Sequence, residues 1–293
     1  MPKKILVLGA SGLLGGILCP YLERKEFQVF KHGNKSVEEY RANFTKLEEA
    51  SNLLSLIKPN IIINLIGLTD VDYCERNPQD AFLVNSHIVK NVAHWMKKTS
   101  PSCHLVQIST DQVYDRDMLH VEENISPINY YAFSKFIGEL EAANVPSTVL
   151  RVNFFGKSKT PQRKSFTDWL FEALIHQENI DVVNDVYFSP LSMDFLVEMI
   201  YLVAEKRIIG TFNLGASSGM SKAEFAFAFA EELGFSKDFM KMISIEKLKA
   251  LHARRPKNMV MNIEKFERTF GVKLPNMIDE ISRVAKTYDE FKG

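Results

Sequence analysis

Three side chains that can act together on a carbonyl group stand close to one another in the sequence. Tyr131 and Lys135 are four residues apart in a segment with a helical pattern, so they share one helix face. A phenol is a poor acid–base catalyst at neutral pH, and an ammonium one turn away favours the phenolate and lowers the phenol pKa. Thr110 follows the predicted strand His104–Ser109, and its hydroxyl can orient a substrate oxygen. The set predicts proton transfer between Tyr131 and a carbonyl oxygen while a hydride reaches the carbon.

A hydride needs a donor, and a glycine-rich turn near the N-terminus predicts a dinucleotide site. The sequence Gly9-Ala-Ser-Gly12-Leu-Leu-Gly15 joins the apolar strand Lys4–Leu8 to a predicted helix over Gly12–Lys25. Glycine lets the backbone approach a pyrophosphate closely, and the helix N-terminus offers free N–H groups and a partial positive charge. The spacing is GxxGxxG rather than GxGxxG, so a turn that binds nothing is the alternative. The predicted cofactor contacts in the turn are Gly9, Ser11, Gly12, Leu13, Leu14 and Gly15.

The end of the second predicted strand, Phe27–Phe30, bears on the choice between NADPH and NADH. NAD sites usually place an acid near this point to bind the ribose hydroxyls, whereas this chain reads Lys31-His32-Gly33-Asn34-Lys35. A carboxylate would repel a 2′-phosphate, and the basic side chains can attract it. The sequence therefore favours NADPH, with NADH as the alternative, because a solvated basic turn has the same pattern. The predicted cofactor contacts here are His32, Asn34 and Lys35.

Strand and helix patterns alternate along the first half of the chain. Apolar runs predict buried strands at Lys4–Leu8, Phe27–Phe30, Asn60–Leu65, His104–Ser109 and Ser147–Val152. Helical patterns lie at Gly12–Lys25, at Lys46–Lys58, in a long segment opened by Pro78, and at Asn129–Ala143. Repeated strand–helix–strand units predict an α/β fold with a doubly wound parallel sheet of the Rossmann type. Ligands bind such a sheet beyond the carboxyl ends of its strands.

The alternation loosens after about Phe155. Gly156–Lys164 is a polar, basic loop, and the remainder is dominated by amphipathic helical patterns at Ser165–Gln177, Ser221–Leu233 and Pro275–Phe291. The segments Asp194–Glu205 and Thr211–Leu214 still have the pattern of sheet-layer elements. We therefore predict a dinucleotide-binding domain over residues 1–155, to which 186–215 returns. A smaller, mostly helical substrate-binding part covers 156–185 and 216–293.

Composition limits the classes of partner. Lys and Arg balance Asp and Glu at 36 each, so nucleic acid is not an expected partner. No stretch reaches the ~20 apolar residues of a membrane span, and glycines interrupt the apolar N-terminal run that resembles a signal peptide. Cys19, Cys74 and Cys103 show no zinc spacing, and the seven histidines form no ligand motif, so no metal is predicted. We expect a cytoplasmic, reducing location.

Several further motifs resemble those of one known family over nearly the whole chain. They are Asn43-Phe44-Thr45, Asn64-Leu-Ile-Gly67 with Thr69, Val84-Asn85, Ser109-Thr110-Asp111 with Val113-Tyr114, Leu150-Arg-Val-Asn-Phe154, Val183-Asn-Asp185, Pro190-Leu-Ser192 with Asp194, Ala253-Arg-Arg-Pro-Lys-Asn258, and Asn262-Ile-Glu-Lys-Phe266. With the glycine turn and the Tyr131–Lys135 pair, they resemble the extended short-chain dehydrogenase/reductases, most of all the dTDP-4-dehydrorhamnose reductases.

The resemblance implies a function and a set of site residues. The implied reaction is the NADPH-dependent reduction of C4 in a nucleotide-linked 4-keto-6-deoxy sugar, a step of deoxysugar and polysaccharide biosynthesis. The implied catalytic residues are Thr110, Tyr131 and Lys135. The further cofactor contacts are Asn43, Phe44, Leu65, Ile66, Gly67, Ser109, Tyr131 and Lys135. The implied substrate contacts are Thr69, Asn85, Thr110, Asp111, Asn153, Phe154, Arg254 and Arg255.

Departures from the family pattern and two other functions also have to be weighed. Phe154 stands where the family often has Trp, and Leu65-Ile66-Gly67 replaces a mostly alanine stretch. Gln112 follows Asp111 where 4,6-dehydratases need an acid, which argues against dehydration.

The alternatives are a regulatory subunit similar to the β subunit of methionine adenosyltransferase, and a nucleotide-sugar epimerase, which would be expected to hold NAD. The intact catalytic set favours a reductase. Homodimerisation stays open, because no interface pattern stands out.

Overall fold

Apolar runs of the sequence become the strands of one central sheet. The computed structural model describes residues 2–25, 27–33, 40–160, 163–248 and 250–291. The strands are β1 (Lys3–Leu8), β2 (Phe27–His32), β3 (Ile61–Asn64), β4 (His104–Thr110), β5 (Ser147–Val152), β6 (Phe154–Phe155), β7 (Ile180–Val183), β8 (Tyr187–Phe188), β9 (Leu191–Ser192), β10 (Gly210–Leu214), β11 (Met220–Ser221) and β12 (Met240–Ile243).

Helices connect these strands. The α-helices are α1 (Gly15–Glu23), α2 (Leu47–Ile57), α3 (Val71–Arg76), α4 (Pro78–Phe82), α5 (Ile88–Thr99), α6 (Tyr130–Ala142), α7 (Phe166–Ile175), α8 (Met193–Lys206), α9 (Lys222–Glu232), α10 (Glu264–Phe270) and α11 (Met277–Ala285). A π-helical turn covers Leu83–His87, and 3-10 turns cover Asp111–Val113, Ile245–Lys247 and Lys286–Phe291.

Six of the strands form a parallel sheet in the order β10-β5-β4-β3-β1-β2. The chain proceeds outward from β1 to β2 on one side and from β3 to β10 on the other. The gap between the ends of β1 and β3 is therefore the switch point at which doubly wound sheets bind ligands. This arrangement confirms the predicted Rossmann-type fold and places the binding crevice at the carboxyl edge of β1.

Strand β1 shows why an unbroken apolar run is needed at the centre of the sheet. Ile5 and Val7 enter the hydrophobic core on one face, and Leu6 and Leu8 enter the core on the other, all with no exposed surface. Helices α1 and α8 cover the first face, whereas α2 and α5 cover the second. A strand buried on both faces cannot alternate apolar and polar residues.

The second half of the chain adds small elements beside this sheet. Three two-stranded sheets pair β6 with β9, β7 with β12, and β8 with β11. Helices α7 and α11 pack against α9, where Phe225 and Phe229 are fully buried. Strand β10 pairs with β5 at the edge of the main sheet, and α8 packs against α1 and β4. The chain thus leaves the sheet layer after β5 and returns to it through α8 and β10.

Two helices differ from the sequence prediction. Helix α1 begins at Gly15 rather than at Gly12, because Gly9 has a φ of 81° and the following residues form a turn. The long helix predicted from Pro78 is continuous but contains the π-helical turn Leu83–His87. Sequence reasoning missed α3, whose six residues are too few for a helical repeat. It begins at Asp70, whose side chain accepts a hydrogen bond from the Tyr73 N–H.

Two further features of the structure concern the cysteines and the lengths of the helices. Cys19, Cys74 and Cys103 are all buried, and none of the three is in a disulfide. Within the described ranges, no helix combines the length and the apolar character that a membrane span needs.

Candidate active site

The glycine turn packs between β1 and the loop after β3, with no space for a side chain at Gly9 or Gly15. A Cβ on Gly9 would lie 3.1 Å from the backbone nitrogen of Ile66, and Gly9 has a positive φ. A Cβ on Gly15 would lie 2.4 Å from the carbonyl oxygen of Ala10. Both positions therefore require glycine, and the turn leaves its backbone open to a ligand at the start of α1.

A continuous cleft runs along the carboxyl edge of the sheet in two halves. The first half, which we call the adenosine half, lies over the ends of β1 and β2. It is lined by Gly9, Ser11, Gly12, His32, Gly33, Ala42, Asn43, Phe44, Thr45, Leu65, Ile66, Gly67, Val84, Ile88 and Arg163. The second half, the reaction half, lies over β4. It is lined by Gly9, Gly12, Leu13, Leu14, Gly15, Leu65, Gly67, Thr69, Ile108, Ser109, Thr110, Asp111, Gln112, Tyr131, Lys135, Val152, Asn153, Phe154 and Arg163.

The cleft gathers most residues that the sequence nominates. Every nominated cofactor residue within the described ranges lines one half or the other. Asn34 and Lys35 fall outside the residues that the structure describes. Of the nominated substrate contacts, Thr69, Thr110, Asp111, Asn153 and Phe154 line the reaction half. Sequence reasoning missed Arg163, which lies in a loop without periodicity, and Val84 and Ile88, which look like ordinary core residues.

The basic side chains at the end of β2 have partners within the protein. His32 is 2% exposed, and its Nε2 lies 2.8 Å from the carbonyl oxygen of Ala42. Burial lowers the pKa of His32, so the ring is neutral at pH 7. The Lys31 ammonium forms a 2.7 Å ion pair with Glu23. The attraction of a 2′-phosphate by Lys31 or His32 stays a prediction; in this structure the Lys31 ammonium pairs with Glu23 and the buried His32 ring is uncharged.

Helix α6 and strand β4 bring the three nominated catalytic residues together. Tyr131, Lys135 and Thr110 are all at least 94% buried and line the same half of the cleft. The Lys135 ammonium donates a 2.7 Å hydrogen bond to the carbonyl oxygen of Ile108, near the end of β4. The hydroxyl of Tyr131 hydrogen-bonds with Thr110. The helix begins at Asn129, whose side chain accepts from the Ala132 N–H and fixes the first turn that carries Tyr131.

The pKa of Tyr131 shifts in the direction opposite to the sequence prediction. Burial raises the Tyr131 pKa, and the hydrogen bond with Thr110 only partly offsets this. The expected lowering by Lys135 is absent from the structure, since the ammonium is directed to Ile108. Burial lowers the pKa of Lys135 to about 8, and the negative charge of Glu139 partly opposes this shift. Tyr131 is consequently a protonated phenol at neutral pH, a state suited to donating a proton.

The π-helical turn connects two elements of the site through hydrogen bonds of Asn85. Asn85 lies in this turn, is 1% exposed, and exchanges two hydrogen bonds with the backbone of Leu68 at 2.8 and 3.1 Å. Its amide also donates to Ser134 of α6 at 2.9 Å. Asn85 therefore ties the loop after β3 to the helix of Tyr131. A direct substrate contact of Asn85 stays a prediction; in this structure its side chain is buried and its hydrogen bonds are made within the protein.

Asp111 is the acidic group of the reaction half. Its carboxylate is buried and accepts a 2.7 Å hydrogen bond from the side-chain amide of Asn153. Burial raises the pKa of Asp111 to about 6, and the Asn153 hydrogen bond opposes the shift. The positive charge of Lys222, at the first position of α9, lowers the pKa of Asp111, and burial lowers the pKa of Lys222 itself. Lys222 is a further residue that sequence reasoning missed.

The two arginines that the resemblance implies as substrate contacts have carboxylate partners. Arg255 binds both oxygens of Asp72, at 3.0 and 2.9 Å, and thereby lowers the pKa of Asp72 to about 2. Arg254 contacts Asp115 at 3.2 Å, although 75% of its side chain is exposed. Neither arginine belongs to the lining of the two cleft halves. A role in binding a diphosphate would require these cations to exchange or share their partners.

We expect the variant Asp111→Asn to be more stable and less active than the parent protein. The folded pKa of about 6 exceeds the ordinary 3.8, so the ionised carboxyl destabilises the fold above pH 6 and has no such effect below pH 4. The gain at pH 7 should be about 1–3 kcal/mol, and it should shrink as the pH falls through 6 to 4. Thermal denaturation of both proteins across this range measures it. A variant that is less stable than the parent at pH 7 would contradict the assignment.

Within the described part of the chain, no three His, Cys, Asp or Glu side chains lie together as a group that could bind a metal ion.

A doubly wound sheet with a hydroxyl, a phenol and an ammonium at its carboxyl edge defines the class as the extended short-chain dehydrogenase/reductases. Within that class, the chain belongs to the family described as the RmlD substrate binding domain, whose model matches residues 3–290. It is 28% identical to a dTDP-4-dehydrorhamnose reductase of Sinorhizobium fredii, over 77% of this chain and 79% of the relative. It is 26% identical to the dTDP-4-dehydrorhamnose reductase of Escherichia coli K12, over 93% of each chain.

The fold is also that of a solved structure from the same group of enzymes. The crystal structure of dTDP-4-dehydrorhamnose reductase from Bacillus anthracis, in complex with NADP, superposes with a TM-score of 0.88. The match covers 98% of this chain and 100% of that chain at 24% sequence identity. The likeness extends over the whole length, so the small elements of the second half belong to the shared fold.

Proposed function

We propose that this protein reduces the C4 keto group of a nucleotide-linked 4-keto-6-deoxy sugar, with NADPH as the hydride donor. The observation that carries the proposal is the convergence of Thr110, Tyr131 and Lys135 in one cleft with the glycine turn. The relatives named dTDP-4-dehydrorhamnose reductase support the choice of substrate class. Such a reduction is a step in the synthesis of deoxysugars for polysaccharides.

The lining of the cleft fits a dinucleotide. Glycine at positions 9 and 15 lets the turn pack closely against the backbone of Ile66 and of Ala10, and Ser11 and Gly12 line the cleft beside it. Asn43 and Phe44 line the adenosine half, and Lys135 lines the reaction half. When bound there, the reduced nicotinamide supplies the hydride. All other parts of the reaction fall to groups of the protein.

Tyr131 is the proton donor in this proposal. Its pKa is raised by burial, so the phenol is protonated at neutral pH and can give its proton to the oxygen of a carbonyl group. Thr110 hydrogen-bonds with the same phenol and can hold that oxygen in line with it. Lys135, fixed to Ile108, places a positive charge beside the oxygen that gains electron density.

The sugar would be held on the Asp111 side of the reaction half. The Asp111 carboxylate has Asn153 as one partner and can accept a hydrogen bond from a sugar hydroxyl. Phe154 offers a flat apolar face at the same wall. For the diphosphate we propose Arg254 and Arg255, whose partners Asp115 and Asp72 would then be shared with the substrate.

We propose NADPH rather than NADH for two reasons. The described end of β2, residues 27–33, contains no carboxylate that would bind ribose hydroxyls and repel a 2′-phosphate. The NADP complex of the Bacillus anthracis enzyme supports the same choice. Lys35 stays a predicted phosphate contact.

We further propose the division of the chain that the sequence predicts. In it, residues 1–155 and 186–215 bind the dinucleotide, and residues 156–185 and 216–293 cover the substrate. The return of α8 and β10 to the sheet layer supports this division. A cytoplasmic location and a homodimer stay predictions.

The test is to follow NADPH absorbance with purified protein and 4-keto-6-deoxy sugars linked to dTDP, GDP or CDP. Consumption of NADPH with one of them, and a 4-hydroxy sugar as product, is the expected result. A folded protein that binds NADPH but consumes none would instead favour the regulatory alternative. A tightly retained, non-exchanging NAD would favour the epimerase.

A further inference from the structure

We infer that Arg163 binds the pyrophosphate of the dinucleotide, from the loop that follows β6. The inference rests on the proposed function, since it assumes that the cleft holds a dinucleotide. It assigns a role to a residue that neither the glycine turn nor the catalytic set includes.

The position of Arg163 in the cleft is the first observation. Five residues line both the adenosine half and the reaction half, namely Gly9, Gly12, Leu65, Gly67 and Arg163. A dinucleotide joins its two nucleosides through its pyrophosphate, so the lining that both halves share marks the place where the pyrophosphate lies. Among these five residues, only Arg163 has a charged side chain.

The second observation is that the loop of Arg163 is attached to the glycine turn. The Thr160 hydroxyl donates a 3.1 Å hydrogen bond to the carbonyl oxygen of Gly12, and the Arg163 N–H donates to the carbonyl oxygen of Thr160 at 3.3 Å. A Cβ on Gly16 would lie 2.4 Å from the Thr160 hydroxyl, so the contact between loop and helix is close. Arg163 is therefore held three residues from an anchor on the phosphate-binding turn.

The third observation concerns charge. The neighbouring cations of the loop are paired, Lys164 with Glu172 at 2.6 Å and Lys159 with Asp194 at 3.8 Å. Arg163 is exposed and forms no ion pair with the residues that the structure describes. The glycine turn itself offers backbone N–H groups, the Ser11 hydroxyl and the partial charge of α1, but no charged side chain, to a doubly charged pyrophosphate. A guanidinium can add two parallel, charge-assisted hydrogen bonds.

The geometry favours the pyrophosphate over a 2′-phosphate as the anion. A 2′-phosphate would lie at the end of β2, where His32, Gly33 and Asn43 line only the adenosine half. Arg163 also reaches the reaction half, which a group at the far end of the adenosine would not touch. Arg163 should accordingly bind NADPH and NADH to the same extent.

The experiment compares the affinities of NADPH, NADH and adenosine 2′-monophosphate by fluorescence and calorimetric titration. Arg163→Ala should raise Kd for both dinucleotides by about ten-fold or more, and should leave the monophosphate, which lacks a pyrophosphate, unchanged. Thr160→Val, which removes the anchor, should weaken both dinucleotides by a smaller and equal factor. Lys164→Ala is the matched control, since it removes a neighbouring cation that Glu172 already pairs, and it should change neither Kd.

The possible results of these titrations distinguish the inference about Arg163 from the proposed function. A loss confined to NADPH and the 2′-monophosphate would place Arg163 at the 2′-phosphate and overturn the inference. Unchanged affinities in Arg163→Ala, with a parent protein that binds both dinucleotides, would overturn the inference and leave the proposed function standing. A parent protein that binds neither dinucleotide would overturn both. Circular dichroism of the variant verifies the fold, and the exposure of this loop residue favours an intact one.

Discussion

Tyr131→Phe is expected to lower kcat/KM for reduction of the keto sugar by about 10²–10⁴-fold, the range for loss of a positioned proton donor. The change removes a single oxygen from a ring that is 6% exposed, so the packing of α6 is retained. The lost group is the phenol that hydrogen-bonds with Thr110 and whose pKa is raised by burial. Binding of NADPH should change little, because the ring and Lys135 stay in place.

The chain offers a matched control at the adjacent position. Tyr130 is 43% exposed and lies outside the cleft lining, so Tyr130→Phe should leave kcat/KM unchanged. Activity is measured by NADPH absorbance, and NADPH binding is measured separately to distinguish chemistry from cofactor affinity. If Tyr131→Phe kept more than a tenth of the parent activity, Tyr131 would not be the proton donor.

The direction of the Tyr131 pKa shows where local sequence reasoning ends. The spacing of Tyr131 and Lys135 correctly places both on one helix face, in a cleft that Thr110 also lines. Spacing cannot show, however, that the Lys135 ammonium is directed to a carbonyl oxygen of β4. That contact depends on how helix α6 packs on the sheet, and the burial that comes with this packing raises the pKa of the phenol.

The end of β2 gives a second example of the same limit. The basic residues at positions 31 and 32 are evident in the sequence, but the sequence does not show which groups surround their side chains in the fold. His32 is neutral because its ring is buried beside Phe44, and the contact with the carbonyl oxygen of Ala42, which raises the pKa, only partly opposes this effect. Lys31 is paired with a glutamate of the preceding helix. A strand buried on both faces, such as Ile61–Asn64, is more predictable because its apolar run alone specifies it.

Contacts between distant parts of the chain were the least predictable. Arg255 pairs with Asp72, 183 residues away, and Asn129 donates to the carbonyl oxygen of Arg254, 125 residues away. The motif around these arginines indicated a functional segment, yet no local pattern shows which carboxylate each one meets. Arg163 lacks even a motif, and only the folded loop brings it to the phosphate-binding turn.

A buried network of hydrogen bonds next to the catalytic residues gives the second prediction with a large expected effect. Glu139 lies two turns after Tyr131 on α6, and its carboxylate accepts hydrogen bonds from Arg151 at 3.0 and 2.6 Å. The side chains of Glu139 and Arg151 are 3% and 4% exposed. Ser109, next to Thr110, donates a very short hydrogen bond to the same carboxylate. Arg151 also contacts Tyr114 at 2.6 Å. The network joins α6, β4 and β5, the three elements that position the site.

Glu139→Gln is expected to destabilise the fold by about 3–5 kcal/mol, because it leaves the Arg151 guanidinium buried without a counter-charge. Arg151→Met should cost a similar amount, since it leaves the Glu139 carboxylate unpaired. The double variant should cost clearly less than the sum of the two, because no buried charge is then left alone. Denaturant unfolding measures all three free energies. Glu172→Gln, which breaks the exposed pair with Lys164, is the control and should cost about 0–1 kcal/mol.

The same variants separate a structural role of Glu139 from an effect on the catalytic lysine. Glu139 raises the pKa of Lys135 against the effect of burial, which lowers it to about 8. Glu139→Gln should therefore lower the Lys135 pKa, whereas Arg151→Met, which leaves the carboxylate without a counter-charge, should raise it. In proteins that stay folded, the alkaline limb of the pH dependence of kcat/KM should move to lower pH in the first variant and to higher pH in the second. If the alkaline limb moved in the same direction in both variants, or if the two losses of stability simply added in the double variant, Glu139 and Arg151 would have only a structural role.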